Sequence, residues 1–292
     1  PIGLNISKQF DYYQKHLQAF FNGPGKQLCP NFKLRYLYQV LREQPPTQVF
    51  AQLLMGFELA SRDPRVVGIN LVQAEDGKLS MRDYRLQMRM VGFLHRLYTL
   101  EKISLHAGEL VPGLVPMSGL RFHIREAVEV AHANRIGHGV DIRYEDHPVQ
   151  LLQEMARKQI LVEINLSSNA AILNVSGQQH PILLYRQYHV PIALSTDDEG
   201  VLRTNLTEQF KLAVVNYHFS YFILKQLVRN TIYYSFLPGA SLWQDAHYQH
   251  PVARCKDSLS TNKLFLSCQR FLATSQKADS QWKLEQQFLQ FE

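Results

Sequence analysis

Three short segments carry side chains whose types and spacing could do chemistry together: His106-Ala107-Gly108-Glu109, His138 between Gly137 and Gly139, and Asp197-Asp198. Imidazole and carboxylate both suit a divalent ion such as zinc, which keeps one position for water and lowers that water's pKa to about 7. A glutamate three residues beyond such a histidine, with only small residues between, can pass protons beside the ion. Taken singly, each segment has a plainer reading. A histidine at a strand end is more often structural, and His138 could be a packed side chain admitted by its glycines. Asp197-Asp198, followed by Glu199-Gly200, could cap a helix and favour its dipole. What sets the three apart is their recurrence at successive strand ends.

For these residues to meet, the elements that carry them must open on the same edge of a sheet. Ile103-Ser104-Leu105 is a β-prone run that leads into His106, and the loop after it is broken by Pro112, Gly113 and Pro116. A helix near 119–133 leads to the short strand Arg135-Ile136-Gly137-His138. A helix near 179–188 leads to Val190–Ser195, which ends on Thr196-Asp197. The same alternation runs through the rest. A strand is expected over 31–42, a helix over 47–61 behind Pro45-Pro46, the apolar strand Val66–Val72, a helix near 80–98, a helix near 147–158, and a strand over Ile160–Ser167. Six short apolar strands alternating with helices imply a parallel sheet with right-handed crossovers, and in a parallel barrel all strand C-termini face one mouth. Ahead of this, a helix is expected over 5–21, stopped by Asn22-Gly23-Pro24-Gly25. Behind it come helices over 206–217 and 220–236 and a polar tail, with Trp243, Phe236 and Leu237 as an apolar anchor. No repeat or linker divides the chain. It reads as one domain over 1–292, with a barrel part at about 31–240 and a helical or irregular region at 241–292.

Composition bounds the partners. Of 292 residues, 46% are hydrophobic and 19% charged, as in an ordinary globular enzyme. The formal charge of +6 is spread without a basic run, which points to a solvated surface and away from nucleic acid. No apolar run is long enough for a membrane span, and no partner membrane is expected. Cys29, Cys255 and Cys268 have no CxxC spacing and read as forming no disulfide framework, compatible with a reducing compartment without requiring one. The compartment stays open: nothing at the start reads as a signal peptide, but the chain begins at Pro1, and a preceding segment could have carried one. His247 and His250 have no carboxylates arranged about them for a metal. His123 and His132 read as surface or packing residues.

The ordered set HAGE at 106–109, RIGHG at 135–139 and STDD at 195–198 resembles the adenosine deaminase family of zinc-dependent purine deaminases. LREQP at 41–45 resembles the segment after that family's third strand, VVGINL at 66–71 its fourth strand, and Leu166-Ser167-Ser168-Asn169 its seventh-strand end. EDG at 75–77, STDDEGV at 195–201 and RNTIYYSFLPG at 229–239 look most like its bacterial and growth-factor-related branch. The likeness covers about residues 30–240. It implies a TIM-type (β/α)8 barrel, here strands three to eight, and one zinc ion with His106 and Asp197 among its ligands. It also implies roles in catalysis and binding. Glu109 protonates purine N1 as water attacks C6, His138 orients that water and shares its proton, and Asp198 contacts the N7 edge of the ring.

Three departures accompany the likeness. Gln73 stands where the family has a glycine whose N–H meets the purine, so its side chain is expected to narrow the pocket or add an amide contact. Asn70 replaces a usual aspartate. No His-x-His pair, the family's other two ligands, occurs in these 292 residues. Six strands cannot close an eight-stranded barrel, so residues 31–42 and 190–195 are expected as open apolar edges. A separate N-terminal polypeptide is expected to supply the first two strands and the His-x-His pair. The function expected is hydrolytic deamination of adenosine or a closely related 6-aminopurine nucleoside to the inosine-type product and ammonia. One alternative is a deaminase of another aminopurine or a nucleotide. The other is a catalytically weak binding or signalling protein on the same barrel.

Overall fold

The computed structural model describes residues 34–98 and 102–292, with isolated positions 8, 11, 12, 15, 16, 19 and 23 before them. The helix expected over 5–21, the breaker after it and Cys29 fall largely outside the described residues. Within them the chain alternates strands and helices, and it divides into two compact units. One takes the chain up to His106 together with Glu126–Ala133; the other takes Ala107–Arg125 and Asn134–Glu292.

In the first unit, β1 (Tyr36–Leu41) pairs in parallel with β2 (Val66–Val72), placing Gln39 against Asn70 and Leu41 against Val72. Helix α1 (Pro46–Arg62) starts on a proline, which loses nothing at a position whose N–H would be unpaired anyway, and buries Val49, Leu53 and Phe57. Helix α2 (Lys78–Tyr98) buries Tyr84, Met88 and Val91. Its first amides are held by Glu43, whose carboxylate accepts from Leu79 N at 2.8 Å and Ser80 N at 2.7 Å. Desolvation alone would raise the pKa of Glu43, but these amides and the Ser80 hydroxyl outweigh it and hold the carboxyl below its usual range. Only Val40 of β1 is buried, and Leu41 is 42% exposed.

β3 (Ser104–Ala107) closes the first unit at His106, and in the second unit the sheet order is β4 (Arg135–His138), β5 (Leu161–Ile164), β6 (Ile192–Leu194). β4, β5 and β6 pair in parallel, with Ile136 against Val162 and Glu163 against Ala193. The strands are short and mostly buried, as parallel strands covered on both faces must be; the half-buried Arg135 and Glu163 pair with each other across β4 and β5. Connecting them are α3 (His123–Glu129), α4 (Pro148–Lys158), α5 (Leu166–Leu173) and α6 (Ile182–Gln187). Beyond β6 come α7 (Glu199–Leu202), α8 (Leu206–Tyr217) and α9 (Tyr221–Tyr233).

The strand expected over Ile160–Ser167 stops at Ile164, and Leu166 begins α5. A continuous apolar run lacks a period that tells strand from helix, so the junction was invisible until the fold chose it. β6 ends its sheet, as expected of 190–195, but the edge is not open. Ile192, Ala193 and Leu194 are buried, and Asn230 of α9 donates to the Ile192 carbonyl at 2.7 Å.

The tail is helical, with α10 (Lys256–Thr261), α11 (Leu266–Thr274) and α12 (Gln276–Phe291). Cys255 and Cys268 are joined in a disulfide inside a cluster with Leu242, Trp243, Tyr248 and Trp282, contrary to the expectation of no bridge. Spacing carries no signal for such a pair; packing of the two segments does. Its closed loop of 13 residues predicts a loss of about 2–4 kcal/mol when both cysteines are replaced by serine. That loss should lower the denaturant midpoint of the full chain. Among the described residues no helix is long and apolar enough to cross a membrane.

Candidate active site

Each candidate is placed by a strand end. In the first unit, His106 is held by Asn70 of β2. Asn70 Oδ1 accepts from the His106 backbone N–H at 3.2 Å and lies 3.0 Å from the ring Nδ1. A carbonyl oxygen only accepts, so Nδ1 carries the proton and the lone pair sits on Nε2, the form in which imidazole binds a metal. The replacement of aspartate by asparagine noted above therefore keeps the orienting function and drops the charge. Arg42, fully buried, donates to the carbonyls of Leu71 at 3.0 Å and His106 at 2.9 Å. Gln87 donates to Arg42's own carbonyl at 2.9 Å. Sequence reasoning gave Arg42 no role beyond its place in LREQP; an arginine closing a largely apolar strand was the available signal.

Gln73 follows β2 with φ of 78°, and its Oε1 accepts from the Glu43 N–H at 2.9 Å. Glycine adopts this left-handed backbone without strain, so Gln73 holds it at a cost.

The second unit brings two candidates, Glu109 and Asp197, together about a third, His138, which is fully buried. Glu109 Oε1 lies 3.5 Å from His138 Nδ1, and Asp197 Oδ2 lies 3.8 Å from His138 Nε2. Ser168 Oγ donates to Asp197 Oδ2 at 2.7 Å, fixing that carboxylate. The backbone explains the convergence. Gly108 has φ of 78°, and a Cβ there would lie 2.5 Å from Asp141 Oδ1. Its carbonyl accepts from Val140 N at 2.7 Å and Asp141 N at 3.2 Å, tying the exit of β3 to that of β4. Gly139 has φ of 59°, and a Cβ would sit 2.4 Å from the Tyr185 hydroxyl, which donates to the Gly139 carbonyl.

Gln73, His138 and Asp197 are non-glycine residues with φ of 78°, 70° and 55°. Such conformations cost on the order of 1–3 kcal/mol each and gather where function holds them. Asp198 takes the N-cap position of α7, but its side chain makes no capping hydrogen bond, so capping is not what that side chain does. Asn165, Ser168 and Asn169 also surround His138 and Asp197; sequence reasoning assigned Ser168 and Asn169 no role beyond their place in the segment 166–169, and Asn165 none. Their signal is a polar step, Asn165 then Ser167-Ser168-Asn169, inside an otherwise apolar run.

Residues 21–242 match the family model described as adenosine deaminase. The adenosine deaminase of Clostridium kluyveri is 29% identical over 199 residues, covering 68% of this chain and 51% of that protein. The chain spans about half the length, or less, of the curated relatives it matches. Among solved structures, Arabidopsis ADAL complexed with GMP aligns with a TM-score of 0.55 at 24% identity, covering 70% of this chain and 54% of that one. An amidohydrolase from Burkholderia ambifaria with bound Zn aligns at 0.55 with 22% identity, covering 76% and 57%. These likenesses show the fold, a TIM-type (β/α)8 barrel.

Proposed function

The chain belongs to the adenosine deaminase family, and from that premise we propose that it is a metal-dependent hydrolase, one barrel domain over 1–292. It removes the 6-amino group of adenosine or a closely related 6-aminopurine nucleoside, leaving the inosine-type product and ammonia. The observation that carries the reading is the group of Glu109, Asp197 and Ser168 about the buried His138. An acid, an imidazole and an anchored carboxylate are what attack on an aromatic amidine carbon requires.

The donor chemistry fits one divalent ion, zinc by resemblance. Histidine and carboxylate donors suited to an ion are His106, His138 and Asp197. Of these, His106 has its lone pair on Nε2, and Asp197 is a carboxylate oriented by Ser168. In this reading His106 and Asp197 are the ligands. Water acidified to a pKa of about 7 is the chemistry such an ion supplies. Glu109 gives a proton to purine N1 as C6 becomes tetrahedral, so that the ring nitrogen takes up the electron pair as N–H. His138 holds the attacking water by hydrogen bonding, and Asp198 holds the N7 edge. Gln73, with Oε1 engaged by Glu43, offers the purine its backbone N–H or its amide Nε2. The remaining donors of a full zinc site would come from a His-x-His pair; the comparisons lend no support to a separate polypeptide as its source.

A second reading, a purine nucleoside monophosphate as substrate, is favoured by the GMP bound to the Arabidopsis neighbour. One experiment tests both. The full-length protein, equilibrated with zinc, is given adenosine and AMP in parallel, and the ultraviolet change from aminopurine to hydroxypurine is followed. Conversion of adenosine is expected. Conversion of AMP alone would select the second reading, and no conversion of either with metal bound would leave a binding or signalling protein.

A further inference from the structure

Behind His138 runs a chain of hydrogen bonds through His180 and Asn169, all three side chains buried with at most 1% exposure. The direction of every bond in it is set by one backbone group. Ile182 N–H, 3.2 Å from His180 Nδ1, can only donate, so that nitrogen accepts. Burial, with Arg143 adding to it, pulls the pKa of His180 down to about 4, so the ring is neutral near pH 7. Its single proton is therefore on Nε2, 3.0 Å from the Asn169 side-chain oxygen, which must accept. That fixes the amide, and Asn169 Nδ2 then donates to His138 Nδ1 at 2.9 Å.

We propose that His180 and Asn169 are positioning residues that lock His138 as its Nε2–H tautomer. The inference rests on the functional reading above and deepens it. In this tautomer the Nε2–H, 3.8 Å from Asp197 Oδ2, is the group His138 presents to the reaction. His138 enters the cycle as a hydrogen-bond donor to the attacking water. It has no lone pair to offer a metal, since Nδ1 is committed to Asn169. This separates His138 from His106, whose proton is on Nδ1.

Two neighbours could argue for the other tautomer. Glu109 Oε1 would draw a proton to Nδ1, but it lies at 3.5 Å against 2.9 Å for Asn169. Asn165 Nδ2 stands 3.3 and 3.4 Å from the two ring nitrogens and selects neither. Hydrogen bonds weaken steeply over these distances, so the short bond from Asn169 decides.

Nitrogen-15 chemical shifts of the histidine rings, measured on the full-length protein at pH 8 with His138 assigned through a His138→Gln control, report the tautomer directly. In the unmodified protein, His138 and His180 should each show a protonated Nε2 and an unprotonated Nδ1. In Asn169→Asp, whose carboxylate only accepts, the His138 proton should move to Nδ1. His180→Gln can still donate to Asn169 and should keep the Nε2–H form. His180→Leu cannot, and its His138 should become a mixture of tautomers, with kcat down about tenfold and KM within about twofold. Finding Nδ1–H or an even mixture in the unmodified protein would overturn the proposal. So would a His138 tautomer that ignores both Asn169→Asp and His180→Leu. A correct tautomer pattern in a protein that converts no aminopurine would instead sink the functional reading and leave the lock standing.

Discussion

Glu109→Gln is expected to lower turnover of the aminopurine by about 10²–10⁴-fold, the usual contribution of a positioned general acid, with bound metal unchanged. Glutamine has the same shape and can still hydrogen-bond, but it has no proton of the needed acidity to give N1. Glu109 is placed by the left-handed turn at Gly108 and lies 3.5 Å from His138, on the side of the ring away from the Asp197 carboxylate. The substitution therefore leaves the proposed ligands His106 and Asp197 untouched. Because the lost interaction forms only as C6 becomes tetrahedral, kcat and kcat/KM should fall together and KM should hardly move. Ultraviolet kinetics and metal analysis on the same sample check it. Near-normal turnover would show that another group protonates the ring.

Much of the architecture could be read from local pattern, because each element had a local cause. Helix α8 spans the expected 206–217, with Asn205 accepting from the Glu208 N–H at its start. The strands ending on His106, on His138 and just before Asp197 stood out as short apolar runs against polar exits. What escaped was decided by partners distant in sequence. Neither Cys255 nor Cys268 carries a mark of its pairing until α11 packs against the segment before α10. The covering of β6 by Asn230 depends on a helix 38 residues further on. Asn169 and His180 lie 31 and 42 positions from His138 in sequence, numbers that match no helical or strand repeat. Their role follows only from the direction of a backbone N–H at Ile182. The chemistry-bearing residues were thus legible by type, and the residues that orient them were not.

His106→Ala is expected to remove metal and activity together. Asn70 spends its carbonyl oxygen on both the backbone N–H and Nδ1 of His106, an arrangement that prepares Nε2 as a donor. Removing an orienting partner of this kind typically costs about 10–100-fold in metal affinity. Asn70→Ala should fall in that range, and His106→Ala, which deletes the donor itself, should lose more than about 100-fold. Asp197, still held by Ser168, would remain as a donor, so the residual binding should be weak and strongly dependent on carboxylate ionisation. Equilibration of the three proteins against buffered zinc, followed by metal analysis and kinetics, gives the order directly. The ranking matters more than any single value. A packing role for the Asn70–His106 pair would make both variants less stable with no graded loss of metal, since neither substitution would then touch a donor. A ligand role makes metal content fall from the unmodified protein through Asn70→Ala to His106→Ala, with turnover following it. Unchanged zinc content in His106→Ala would remove the histidine from the metal site and with it the reason for placing Asn70 behind it.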